Sequence, residues 1–421
     1  MTPFPEIAED VIESRVRKLL GLKKGVPISQ AELKALALKV VLLSDYFTTR
    51  PGDRPDCYLG DSSLMAAYVA YFLPSNLTKI ERPLWELSLH PGTELGSEGE
   101  LSLLDLGCGP GTASAGLMGF FFRNLCRDRG DMTLSITALD RVEANLEEAG
   151  SLLRELWEAY FSVYKGRSGL NLEINGINAD LLQFVGPCAA KNKYDLVILS
   201  NSLVETAAGA AGIERRRELI ELLASDYLKE KGSIIIIEPA LKDASRDLLM
   251  LRDAIIREER VNLYSPCLTK GPCGALESER DWCHEADEWE APELVRELDR
   301  LTGFNKSRLN YSYLVLRKDG LSLADMLSNT PDDSLAENKG EIFKVVSDLM
   351  KEKGKLKLFV CGKEGRFLLE RLDRDRSESN KIFDDLRRGE IVKLAPLYKK
   401  GELLRLGKES AVEKAGWSAS C

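Results

Sequence analysis

The stretch LSLLDLGCGPG, residues 101–111, constrains this chain most. An apolar strand runs into Asp105-x-Gly107-x-Gly109-x-Gly111, and the helical stretch TASAGLMGFFFRNL follows at once. Strand, glycine turn and helix together open a βαβ unit, because glycine lets the backbone reverse sharply where a side chain would block it. Further apolar strands follow at LSITALD (134–140), LEINGINAD (172–180), YDLVILSN (194–201), SIIIIEP (233–239) and YSYLVLR (311–317). Helical segments such as VEANLEEAGSLLRELWEAYF and SRDLLMLRDAIIREE lie between most of them. This alternation predicts a mostly parallel, doubly wound sheet with its ligand crevice at the carboxyl ends of the strands.

Glycine spacing selects the ligand. The dinucleotide fingerprint G-x-G-x-x-G fails at Thr112, and the Gly-Lys-Ser/Thr of a phosphate loop is absent. The spacing present is that of class I S-adenosylmethionine methyltransferases, so the predicted fold is α/β, a Rossmann-like doubly wound sheet of that class. Asp105 at the strand end suits the ligand's ammonium group. Asp140 ends the second strand, where a carboxylate can accept both ribose hydroxyls. Asp180 and Leu181 follow the third, beside the expected adenine, and Asn201 borders the crevice at the end of the fourth. The cofactor residues are therefore Asp105, Gly107, Gly109, Gly111, Asp140, Asp180, Leu181 and Asn201.

The reaction is less legible than the cofactor. Methylation of an exocyclic base amine uses a polar residue followed by Pro-Pro-aromatic after the fourth strand, where this chain reads SNSLVE. Methylation at carbon 5 of a pyrimidine needs a cysteine nucleophile near the same place, and none lies between Tyr194 and Glu238. His90 and His284 are the only histidines, so a histidine base has little support and no catalytic residue is assigned.

The chain has 421 residues, 44% hydrophobic and 30% charged, and no apolar run approaches the ~20 residues of a membrane span. The acidic opening MTPFPEIAED predicts no secretory signal and hence a cytoplasmic location, where nine cysteines read as buried groups, metal ligands or catalytic groups before disulfides. Residues 1–90 are expected to be helical: Ser29 and Glu32 form a capping-box pattern, Leu33, Leu36, Val40 and Leu43 recur at helical spacing, and a helix over 62–73 should stop at Pro74. A second helix should follow through NLTKIERPLWEL. Residues 91–320 form the methyltransferase-like domain with an insertion at 264–290, residues 321–339 a polar linker, and residues 340–421 a β-rich module of OB type. From Lys339 onward 20 Lys and Arg stand against 14 Asp and Glu, a net +6 on a chain of net −9, which is compatible with a local polyanion contact although a solvated basic surface is the commoner reading; on a module of OB type the expected partner is RNA.

The insertion SPCLTKGPCGALESERDWCH holds Cys267, Cys273 and Cys283 at C-x5-C-x9-C, among Pro, Lys, Asp and Ser rather than in an apolar run. Thiolate ligation follows, with a fourth ligand to come from His284, Cys126, Cys188 or Cys361. Spacing alone leaves zinc and an iron-sulfur cluster both open.

The segments IIIIEPALKDASRDLLMLRD, LYSPC, GPC, DWCH and YSYLVLRK, with AAYVAYFLPSN and LDLGCGPGTAS, resemble the ribosome-associated methyltransferase-like proteins of the bacterial and mitochondrial small subunit over most of residues 40–320. The resemblance implies a 4Fe-4S cluster on Cys267, Cys273, Cys283 and Cys361, pinning the C-terminal module to the methyltransferase-like body. The family often has Pro-His after the first of these cysteines, where this chain has Leu268-Thr269. The expected function is that of an S-adenosylmethionine- and cluster-binding assembly or translation factor acting on the small ribosomal subunit and its rRNA. An active rRNA methyltransferase is the alternative, and the missing amine and cysteine motifs favour the first. A radical enzyme fits poorly, since the C-x3-C-x2-C cluster motif is absent.

Overall fold

A computed structural model of the chain describes residues 2–23, 25–126, 130–164, 169–185, 192–203, 209–328, 340–401 and 403–415. Cys188, the end of the SNSLVE segment and linker residues 329–339 lie outside these. The chain divides into two compact units, neither continuous in sequence: residues 1–208, 218–237 and 288–309 form one, and residues 209–217, 238–287 and 310–421 the other.

The first unit is organised by a parallel sheet. Its strands are β1 (Glu100–Leu106), β2 (Met132–Asp140), β3 (Leu170–Asn178), β4 (Tyr194–Ser200) and β5 (Leu228–Pro239), paired in the order β5-β4-β1-β2-β3. β1 pairs with both β2 and β4, so the chain moves outward to one side and then switches to the other. Six of the seven β1 residues are buried, as a strand covered on both faces requires. β3, at the edge, is buried only at Leu170 and beyond it mixes half-buried with exposed positions. Helices α3 (Thr112–Phe120) and α4 (Glu143–Val163) supply crossovers between these strands.

Ahead of the sheet lie α1 (Glu6–Leu19) and α2 (Gln30–Thr48). α2 begins at the predicted capping box: the Ser29 side chain accepts from the Glu32 N–H and the Glu32 side chain accepts from the Ser29 N–H. The helix over 62–73 does not stop at Pro74. Ser62–Ala67 is α-helical, Tyr68–Phe72 forms a wider π turn, and Leu73–Leu77 resumes the α-helix with proline near its start. Proline lacks an N–H and its ring crowds the carbonyl one turn back, and a π turn relieves both by shifting those carbonyls. The Ser75 hydroxyl donates to the Phe72 carbonyl at 3.0 Å, satisfying one acceptor.

In the second unit α5 (Lys242–Glu258) precedes β6 (Asn262–Ser265), which pairs antiparallel with β7 (Arg308–Arg317). The tail then forms its own sheet from β8 (Glu341–Val345), β9 (Lys355–Gly362), β10 (Gly365–Leu372), β11 (Ile391–Ala395), β12 (Leu403–Leu406) and β13 (Ala411–Lys414). Its path β12-β10-β9-β8-β11 is antiparallel except for the β10–β12 pair. A three-strand meander extended in this way, with the third and fifth strands parallel, is the OB-type order predicted from the alternating strands. Phe343, Val345, Leu358, Val360, Leu369 and Val392 form its core.

Candidate functional site

Two sites stand out, one in each unit. In the first unit, in-register pairing of β1 with β2 sets Asp105 opposite Ala138 and carries both strands into the glycine loop. Gly107 and Cys108 donate their N–H groups to the Leu139 carbonyl at 2.8 and 3.0 Å. Gly109 N–H donates to Asp140 Oδ2 at 2.9 Å, while Oδ1 accepts from Val142 N–H at 2.9 Å and Asn145 Nδ2 at 3.0 Å. Asp140 therefore braces the loop, and with about two acceptor positions per oxygen only Oδ2 keeps room for a ligand hydroxyl.

Only glycine fits at 107. Its φ is 71°, and a Cβ there would lie 2.6 Å from the Ser202 Cβ. At Gly109, also left-handed, a Cβ would meet nothing within 4 Å, so that side of the loop is open. The Ser202 hydroxyl donates to the Leu106 carbonyl at 2.9 Å and ties the segment after β4 to the loop. Next to it Asn201 holds a φ of 57°, an uncommon conformation outside glycine that costs energy and concentrates at functional sites.

Asp105 is fully buried. Its Oδ2 accepts from the Ser114 hydroxyl at 2.6 Å and the Ser114 N–H at 3.2 Å, whereas Oδ1 has no partner. Burial pushes the carboxyl up to about 6; the Ser114 hydrogen bonds oppose the shift and the nearby Asp140 adds to it. A buried acceptor without a donor beside an open glycine loop fits a ligand ammonium. Asp180 caps the turn Leu181–Phe184, its Oδ1 accepting from Leu182 and Gln183 N–H at 2.9 and 3.3 Å, and the neighbouring Ala179 N–H reaches the Asp140 carbonyl at 3.2 Å. Asp105, Asp140, Asp180 and Asn201 thus all lie at or just beyond strand carboxyl ends. Asn145, which the sequence reading did not single out, completes the bracing of Asp140.

In the second unit Cys267, Cys273, Cys283 and Cys361 line one cavity of about 40 Å³, together with Arg252, Glu285, Lys344 and Arg366. Three come from the segment after β6 and the fourth from β9, close to 80 residues away in sequence. Burial, and then the neighbouring thiols and Glu285, push Cys283 up to about 12; burial first and the other three thiols next raise Cys361. Among the described residues no group of three or more His, Cys, Asp or Glu side chains converges as a metal-ion site. Cys126 is buried elsewhere, its thiol against the Phe122 carbonyl at 3.4 Å, and His284 stacks on Trp282.

The thiol-bearing loop is held from α5. Arg252, fully buried, donates to the Thr269 and Gly271 carbonyls at 2.6 Å each, and Asp253 accepts the Cys273 N–H at 3.0 Å. Thr269 thus contributes its backbone carbonyl. Arg252 and Asp253 read in sequence as ordinary charges on an amphipathic helix, and nothing local marks them.

Strand order and the glycine crevice define a class I methyltransferase-like fold. Over residues 66–372 the chain matches the family model of Rsm22, described as mitochondrial small ribosomal subunit Rsm22, and it belongs to that family. No curated protein matches it. Similar solved structures include magnesium protoporphyrin IX methyltransferase from Synechocystis with bound SAM, at 14% identity and TM-score 0.31, covering 67% of this chain and 97% of that one. A SAM-dependent methyltransferase from Geobacter sulfurreducens with S-adenosyl-L-homocysteine has 18% identity and TM-score 0.31, covering 57% and 90%. One from Thiobacillus denitrificans with the same ligand has 17% identity and TM-score 0.28, covering 58% and 97%. At such values the fold assignment rests on the strand order itself.

Proposed function

We propose that this chain binds S-adenosylmethionine in the first unit and a 4Fe-4S cluster in the second, and that it serves the small ribosomal subunit as an assembly or translation factor. The observation that carries the cofactor reading is the unpartnered, buried Asp105 oxygen beside a glycine loop that Asp140 braces. Asp105 would take the ammonium and Asp140 Oδ2 a ribose hydroxyl. The bound cofactor would supply an activated methyl group. Association with the small subunit is supported by the family's description, and the OB-type strand order with its net positive tail supports a contact with the subunit's rRNA. The cytoplasm remains the proposed location.

The cluster reading is supported by four thiols sharing one cavity. A single zinc would draw its sulfurs to roughly 3.8 Å of one another, given Zn–S bonds of ~2.3 Å in a tetrahedron. The corners of a four-iron cube hold their ligands farther apart, which suits four thiols that surround a space without converging on one point. Cys267, Cys273, Cys283 and Cys361 would hold the cluster, whose role here is structural.

Titration calorimetry with S-adenosylmethionine, iron and zinc analysis after anaerobic purification, and sequencing of RNA crosslinked in cells test the three parts separately. Incubation of small-subunit RNA with methyl-labelled cofactor decides between factor and enzyme: label appearing in the RNA would replace the factor reading by the methyltransferase one.

A further inference from the structure

Sheet register places three side chains in one row: Lys344 on β8 lies opposite Cys361 on β9, and Cys361 lies opposite Arg366 on β10. Directly opposed residues of antiparallel strands share a face, so the fourth thiol stands between two cations. The cysteine-bearing segment carries the complementary pattern, Asp281, Cys283 and Glu285 at every second position. Lys344 Nζ lies 2.7 Å from Glu285, with both side chains only 4% exposed, and Arg366 Nη1 lies 2.7 Å from Asp281. Cation, thiol, cation on the sheet thus meets acid, thiol, acid on the insertion.

We propose that Lys344 and Arg366 are positioning residues: their two ion pairs dock Cys361 against the insertion and assemble the thiol cavity before any metal enters. Neither pair needs a metal. The Arg366 guanidinium also lies 4.0 Å from the Phe359 ring centroid, which fixes its direction, and a Cβ on Gly274 would come within 2.9 Å of the Arg366 Cβ, so the insertion sits directly against this residue. Arg388 adds a third tie, its Nη1 donating to the His284 carbonyl of the insertion at 3.5 Å and to the Val346 carbonyl of the module at 2.8 Å. A buried pair that loses one partner leaves an uncompensated charge, so removing Lys344 alone should be worse than neutralising Lys344 and Glu285 together. The use of the cavity to load a cluster rests on the cluster reading above; the docking does not.

The test is hydrogen exchange of residues 265–287 in metal-free full-length protein, with cluster reconstitution followed by iron content and visible absorption. Wild-type protein should protect the segment without metal. Lys344→Met should speed exchange there by at least about tenfold and slow reconstitution, while β1 stays protected. Adding Glu285→Gln should restore part of both, and the swap Arg366→Asp with Asp281→Arg should recover what Arg366→Asp alone loses. Free exchange of the segment in metal-free wild-type protein, or wild-type exchange in Lys344→Met, would overturn the proposal. If wild-type protein takes up no iron while Lys344→Met still opens the segment, the cluster reading fails and the docking stands.

Discussion

Replacing Asp105 by Asn should stabilise the cofactor-free protein at neutral pH and remove this residue's contribution to the pH dependence of stability. Asp105 is fully buried and its carboxyl is pushed from 3.8 up to about 6, so the folded state prefers the protonated form. A group whose folded pKa exceeds its unfolded one contributes stability that is fully present below about 3.8 and lost as pH rises through about 6. Two pH units correspond to about 3 kcal/mol, the penalty carried by the ionised residue at pH 7 and above. Asn keeps an acceptor for Ser114 and carries no charge, so the variant should gain up to that amount at pH 8 and little at pH 4. Urea unfolding of both proteins at pH 4, 5, 6, 7 and 8 reads the difference directly, and taking the difference removes the other carboxylates. Saturating S-adenosylmethionine should shrink the gap at pH 8, because its ammonium would compensate the wild-type charge. A difference that is flat with pH, or that grows as pH falls, would refute the assignment of Asp105 as a desolvated and uncompensated carboxyl.

Asp140→Ala should abolish detectable S-adenosylmethionine binding by calorimetry and loosen the loop, since it strands three donors at roughly 1–3 kcal/mol each where they remain buried. Arg252→Met should leave the Thr269 and Gly271 carbonyls unpaired, cost several kcal/mol on the same scale, and lower iron content after anaerobic purification. Cys361→Ser should lose the bound iron while Cys126→Ser retains it; retained iron in the first would refute the fourth ligand. Charge reversal at the exposed Lys351, Lys353 and Lys363 should reduce the salt dependence of binding to single-stranded small-subunit RNA by ~0.7 per lost phosphate contact, measured by filter binding. Arg388 is unsuitable for that test because it holds the Val346 carbonyl.

Much of the first site was legible because its chemistry is local. A strand of Leu-Ser-Leu-Leu, a glycine spacing that only a sharp turn accommodates, and acids at successive strand ends are properties of short windows, where a period of two and the absence of a Cβ act within a few residues. The same locality misplaced a boundary at Pro74: whether a proline ends a helix depends on the carbonyls of the preceding turn, and a π turn there lets the helix pass.

The sequence by itself determined that an α/β sheet with a methyltransferase-type loop would form, that the tail would be alternating strands, and that Cys267, Cys273 and Cys283 lie in a polar insertion. Tertiary structure alone decided what surrounds them. Cys361 meets the other thiols because β8, β9 and β10 align Lys344, Cys361 and Arg366 across three strands, and because Arg252 reaches the Cys267–Cys273 loop from a separate helix. Register and helix packing are set by the whole buried surface, so no window of sequence contains them.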